Sequence, residues 1–62
     1  MVGLREQRKL KGYTQKDVAK ALGVKQNAVS QWEKGDRKPT IVNLKKLAVF
    51  LDCSLDDLLK GF

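Results

Sequence analysis

Residues 14–35, TQKDVAKALGVKQNAVSQWEKG, decide the fold. They read as two short helices joined by a tight glycine turn. Thr14 offers an N-cap oxygen and Asp17 stands three residues on, the spacing of a capping box. The helix that follows covers about Gln15 to Leu22. It stops at Gly23, the residue best able to take a left-handed C-cap conformation. The next helix covers about Gln26 to Lys34 and stops at Gly35. Lys25 is a poor N-cap residue, so that start is the least sharply marked boundary. Two helices that cross steeply over a short turn need compatible residues at the crossing. Ala19 is small where the second helix approaches, Gly23 tolerates positive φ in the turn, and Val29 is a branched apolar plug. Leu22 and Val24 flank the turn.

The second of these helices has an unusual outward face. Helical phase puts Asn27, Ser30, Gln31 and Lys34 opposite Val29 and Trp32, with Gln26 at the edge near the helix start. A merely solvated face usually carries Lys and Glu. Uncharged amides and hydroxyls both donate and accept hydrogen bonds, which is what reading base edges in a DNA major groove requires. Charge points the same way. Residues 1–40 hold ten Lys and Arg against four acids, whereas residues 41–62 hold three of each. The whole excess of +6 therefore sits with the helical pair. A basic half beside a neutral half fits a polyanion-binding face better than a solubility surface.

The remaining residues complete a single all-α domain of five short helices. A first helix runs from about Val2 to Lys11 and stops at Gly12. Asp36, Arg37, Lys38 and Pro39 form a loop, since Pro39 disfavours helix in the residue before it. Thr40 caps a fourth helix at about 41–51, and Ser54, with Asp57 three on, caps a fifth at about 55–60. The expected core comprises Leu4, Val18, Ala19, Leu22, Val29 and Trp32. A stripe of Ile41, Leu44, Leu47, Ala48 and Leu51 on helix four joins it, with Leu55, Leu58 and Leu59 on helix five.

Several chemistries are excluded. The chain has no histidine, which removes Ser-His-Asp and Cys-His catalysis and histidine-based zinc sites. A single cysteine, Cys53, builds neither a metal site nor an intrachain disulfide. Neither GxxxxGK[ST] nor GxGxxG occurs. The acidic pair Asp56-Asp57 suits the first turn of a capped helix, where negative charge complements the dipole. No enzyme, cofactor or metal is expected. A lone cysteine, no signal peptide and no apolar run of membrane-spanning length suit a cytoplasmic protein.

The stretches LREQRKLKGYTQKDVAKALGV, AVSQWEKGDRKPT and LKKLAVFLDCSLDDLL resemble the lambda-repressor-like (Cro/C1-type, or XRE) helix-turn-helix family. The resemblance spans residues 4–59 without a gap. It implies a five-helix, bacterial or phage-encoded regulator that binds DNA as a dimer, with the third helix as recognition helix. Departures from the family pattern are Gln7, where Leu is usual, and Leu10, where a polar residue is usual. Lys25 stands where Ser or Thr is preferred, and Cys53 where Val is usual.

Roles follow residue by residue. First-turn residues of a recognition helix point deepest into the groove, which makes Gln26 the main base reader, bidentate to adenine N6 and N7. Asn27 and Gln31 are further readers; Ser30 faces a base or a phosphate, and Lys25 a guanine or a phosphate. Gln15 opens a helix whose free N–H groups hold phosphate, and the resemblance sets this position against the DNA backbone. Thr14, Lys16, Lys34, Arg37 and Lys38 are phosphate candidates of lower rank, while Lys9, Lys11 and Lys20 read as solvated charge. Arg8 and Glu33 lie on the inner sides of their helices, and the resemblance implies an ion pair between them.

Val42 and Val49, seven apart and opposite the core stripe, with Phe50 near them and Phe62 at the end, offer apolar surface for a homodimer. The resemblance adds Cys53, Leu55 and Leu58 as competing dimer contacts. Cys53 reads as a small core hydrophobe rather than a redox sensor. Two functions compete. One is a sequence-specific regulator, a repressor on a palindromic operator. The other is an antitoxin-like module that holds a small protein partner and binds DNA secondarily.

Overall fold

The computed structural model describes residues 1–61; Phe62, a dimer candidate, lies outside the described residues. Five helices follow one another: α1 (Val2–Leu10), α2 (Gln15–Leu22), α3 (Gln26–Lys34), α4 (Ile41–Leu51) and α5 (Leu55–Leu58). Among the described residues there is no strand, and no helix is long and apolar enough to cross a membrane.

Local chemistry sets most of these boundaries. The Thr14 hydroxyl accepts from the Asp17 N–H at 3.0 Å, and the Thr14 N–H donates to the Asp17 carboxylate at 2.9 Å. Ser54 and Asp57 repeat this capping box at the start of α5. Thr40 caps α4 by accepting from the Asn43 N–H at 3.2 Å. Gly23 and Gly35 end α2 and α3 with φ of 72° and 85°, where a Cβ is disfavoured. Each closes a Schellman motif: Val24 donates to the Ala19 carbonyl, and Asp36 to that of Gln31, both at 3.0 Å.

Two boundaries differ from expectation. Lys11 is the cap of α1 rather than its last residue, with ψ at −5°. Helix α5 stops at Leu58, short of Lys60. The chain there turns toward α1, and the Lys60 carbonyl accepts from the Gly3 N–H at 3.0 Å.

The core comprises Met1, Leu4, Val18, Ala19, Leu22, Val29, Trp32, Leu47, Leu51 and Leu58. Leu44, Ala48, Cys53 and Leu59 pack against it half-buried. Ile41 and Leu55 do not join it: they are 71% and 42% exposed. Each is the first residue of its helix. A helical side chain leans back over the turn before it, so a first-turn residue covers the cap and not the core. Gly3 lies buried in α1 against the backbone of α5. A Cβ there would stand 2.0 Å from the Asp57 carbonyl oxygen, so only glycine permits the approach.

Candidate nucleic-acid interface

Helices α2 and α3 cross over the turn at Gly23, and the side chains at the crossing are closed to solvent. Ala19 is 4% exposed and Val29 is 0% exposed. With Val29 and Trp32 locked inward, the opposite side of α3 faces out. Lys25, Gln26, Asn27 and Lys34 are exposed, while Ser30 and Gln31 are half-buried. Among the described residues, the side chains of Gln26, Asn27, Ser30 and Gln31 have no hydrogen-bond partner in the chain. Their donors and acceptors are available to a ligand. Lys25 has extended backbone and gives α3 no side-chain cap.

A network behind this face fixes α3 to α1 and α2. The Arg8 Nε donates to Glu33 Oε2 at 2.6 Å, and Nη2 to Oε1 at 3.1 Å. Its third nitrogen, Nη1, donates to the Tyr13 carbonyl at 2.9 Å. Such a two-point guanidinium–carboxylate pair fixes orientation as well as distance. The Gln15 Nε2 donates to Glu33 Oε1 at 3.1 Å. Gln15 is therefore tied into the pair, a contact the sequence does not advertise. Its second amide N–H and its carbonyl remain available. The Met1 ammonium donates to the carbonyls of Trp32 and Glu33 at 3.0 and 3.3 Å. Positive charge there complements the C-terminal end of α3.

The other phosphate candidates lie around this face. Thr14 and Lys16 are exposed at the start of α2, and Arg37 and Lys38 in the loop after α3. The capping bonds hold the Asp17 carboxyl below the usual carboxylate range, the Thr14 N–H first and its hydroxyl second. The Ser54 hydroxyl and then its N–H do the same for Asp57. Burial, with Asp57 nearby, pushes the Cys53 thiol up, which keeps it protonated and unreactive.

The dimer candidates separate. Val42 and Val49 are 63% and 82% exposed on α4. Phe50 is half-buried and stacks on Tyr13, with ring centroids 4.6 Å apart. Cys53 is also half-buried. Leu58 is 0% exposed inside the core and is withdrawn as a dimer contact. Leu55, three residues earlier on the same face, is 42% exposed because it lies in the first turn of α5. Arg5 is the residue near this face that sequence reading passed over. It stands one turn before Arg8 on α1, and that spacing was the signal available.

Comparison with known proteins identifies the family and the fold. The sequence model of the helix-turn-helix family matches residues 4–58. The transcriptional regulator DicA of Escherichia coli (strain K12) is 47% identical over 51 residues, covering 82% of this chain and 38% of DicA. Repressor protein C2 of Salmonella phage P22 is 41% identical over 58 residues, covering 94% of this chain and 27% of the repressor. The chain thus spans well under half the length of either relative. The structure of SinR, a master regulator for biofilm formation, in complex with DNA superimposes with a TM-score of 0.83 at 32% identity. That match covers 94% of this chain and 97% of SinR's. The chain belongs to the Cro/C1-type helix-turn-helix family, a family of DNA-binding transcription regulators and not of enzymes.

Proposed function

We propose that this Cro/C1-type helix-turn-helix chain binds duplex DNA sequence-specifically, with α3 in the major groove, and represses transcription by occupying a promoter. The observation that carries this is the outward face of α3. It presents Gln26, Asn27, Ser30 and Gln31 with their hydrogen-bonding groups unspent, in a basic half of the chain. Gln26, in the first turn, reads an adenine through its N6 and N7 edge, and Asn27 and Gln31 read neighbouring bases. Lys25, Gln15, Thr14, Lys16, Lys34, Arg37 and Lys38 meet phosphates and set register.

The exposed Val49, Val42 and Leu55, with Cys53 and Phe50 at the margin, supply the apolar surface of a two-fold homodimer. A two-fold dimer demands a near-palindromic operator with half-sites about 34–36 Å apart. Occlusion needs only the DNA-binding surface, so repression is the regulatory effect these residues produce unaided.

Binding-site selection at fixed salt tests the proposal. The expected result is a near-palindromic motif. With Gln26→Ala, preference at one base position per half-site relaxes and specific binding weakens by about 1–3 kcal/mol. Selection that enriches no motif, or an unchanged motif with the variant, overturns the proposal or the Gln26 assignment respectively.

A further inference from the structure

Met1 is buried, at 3% exposure, and its α-ammonium crosses the domain to the carbonyls of Trp32 and Glu33 at 3.0 and 3.3 Å. Its own helix does not favour a charge there. Met1 is the N-cap residue of α1, and a cation at a helix N-terminus opposes the dipole. The end that favours it is that of α3. The last four carbonyls of a helix have no partner within it. In α3 these belong to Gln31, Trp32, Glu33 and Lys34. The Schellman turn serves the first two: Asp36 and Arg37 donate to the Gln31 carbonyl, and Gly35 to that of Trp32. The ammonium adds a second bond to Trp32 and supplies the Glu33 carbonyl. It thereby fastens the last turn of the helix that carries the candidate base readers.

This fastening is made by a group that cells alter. Bacterial translation starts on formylmethionine, and DicA and repressor C2 are bacterial and phage proteins. A formyl group turns the ammonium into a planar secondary amide with no charge and a single N–H. One donor then faces two carbonyls. The formyl oxygen also brings an acceptor into a buried site whose Trp32 and Glu33 carbonyls only accept. An acetyl group has the same effect. We propose that the Met1 α-amine is a modification site that governs the recognition helix: an acyl group on it unfastens the last turn of α3, and hydrolytic removal of the formyl group completes the DNA-binding form. In that step water adds to the formamide carbon, the C–N bond breaks, and the acid proton passes to the amine, leaving formate and the ammonium. Excision of Met1, which a residue as small as Val2 allows, would withdraw the ammonium and a core side chain together. The consequence for DNA rests on the DNA-binding proposal; the latch on α3 does not.

At 62 residues the chain is within reach of chemical synthesis, which fixes the state of its N-terminus. It is made with a free amine, with a formyl group, with an acetyl group, and in a des-amino form with hydrogen in place of the ammonium. Amide hydrogen exchange at Asp36 and Arg37 reads the last turn of α3, and Val24, in the matching turn after α2, is the control. A charge at a partly buried helix end is worth up to about thirtyfold in an equilibrium, so exchange at Asp36 and Arg37 should quicken about ten- to thirtyfold in all three altered forms. The change at Val24 should be smaller. Binding to a duplex of the selected motif, read by anisotropy, should weaken by the fall in the fraction of chains with α3 fastened. Treating the formyl chain with a deformylase should restore the free-amine behaviour, a readout that holds even where the blocked chain does not fold. Exchange that ignores the N-terminal group, or that quickens equally at Val24, overturns the latch whatever the DNA result. Loss in the acyl forms but not in the des-amino form assigns the effect to bulk and overturns the role of the ammonium. Equal duplex affinity across the forms overturns the control of DNA binding. A free-amine chain that binds no duplex overturns the DNA-binding proposal and leaves the latch to the exchange data. In the native host the DNA-bound chain should begin at an unblocked Met1 by mass spectrometry; a blocked, excised or extended N-terminus there overturns the proposal.

Discussion

Removing Arg8 strands a carboxylate that has almost no access to water. The Glu33 side chain is 4% exposed and the Arg8 side chain 11%. In wild type, Glu33 accepts two hydrogen bonds from Arg8 and one from Gln15. Arg8→Met leaves only the amide bond to support a buried charge, and breaking a pair of this kind costs about 3–5 kcal/mol. A chain of 62 residues holds only about 3–9 kcal/mol in total, so this variant should lose a large share of its stability. Glu33→Leu strands the guanidinium instead and costs a similar amount. The double variant strands neither. Its cost should fall well below the sum, giving a coupling of about 3 kcal/mol. Loss of the Arg8 bond to the Tyr13 carbonyl, worth about 1 kcal/mol, occurs in both the single and the double variant and cancels in the cycle. Gln15 is half-exposed and recovers a water partner when Glu33 is removed. Urea titration followed by the buried Trp32 reads all four proteins, with sucrose present to keep the singles folded. Additive costs would refute the account, because they would mean that neither charge depends on the other.

Gly3→Ala should cost about 3 kcal/mol, the top of the overpacking range, because the new Cβ meets α5 backbone rather than a yielding side chain; urea melts check it. Acid should weaken the fold selectively. Asp17 and Asp57 hold protons less tightly folded than unfolded, so their contribution is present above the ordinary value of 3.8 and is lost as pH falls below it. Thermal melts from pH 5 to pH 2 should show this loss, and Asp17→Asn with Asp57→Asn should flatten it. Lys25→Ser should supply α3 with its missing cap, adding about 0.5–1 kcal/mol and raising Tm by about 4–8 °C per kcal/mol, measured by calorimetry.

What was legible in the sequence was local. The bounds of α2 and α3 follow from Thr14, Gly23 and Gly35, residues that act on their immediate neighbours. The crossing at Ala19, Gly23 and Val29 is nearly as local. Gly3 was illegible because a glycine inside a helix reads as a weak helix former, and its reason is a carbonyl at the other end of the chain. Past the end of α5, the Lys60 carbonyl likewise accepts from the Gly3 N–H at the other end of the chain, and Gly61 turns the backbone with φ of 74°. Ile41 and Leu55 were placed in the core by periodicity, which gives the face but not how far along its axis a helix is covered. Arg5 was counted only as charge. Its spacing from Arg8 marks its side of α1, but that it lines one cleft with Lys34 depends on how α1 packs beside α3.

Helix α3 is held unequally at its two ends, and this bears on how a small domain reads bases. Its last turn is fastened by the Schellman turn at Gly35, by the bonds from Arg8 and Gln15 to Glu33, and by the Met1 ammonium on two carbonyls. Its first turn has an uncapped start at Lys25 and exposed side chains at Gln26 and Asn27. The first turn of α3 thus has fewer side-chain fastenings than the last. The uncapped end is the one that points deepest into the groove in the proposed complex. There the anchored rear of α3 would set the angle of approach of the amides at its first turn. In the same complex the Lys25 charge, standing where a cap would be, would meet a DNA phosphate or guanine, so Lys25→Ser should trade DNA affinity for stability.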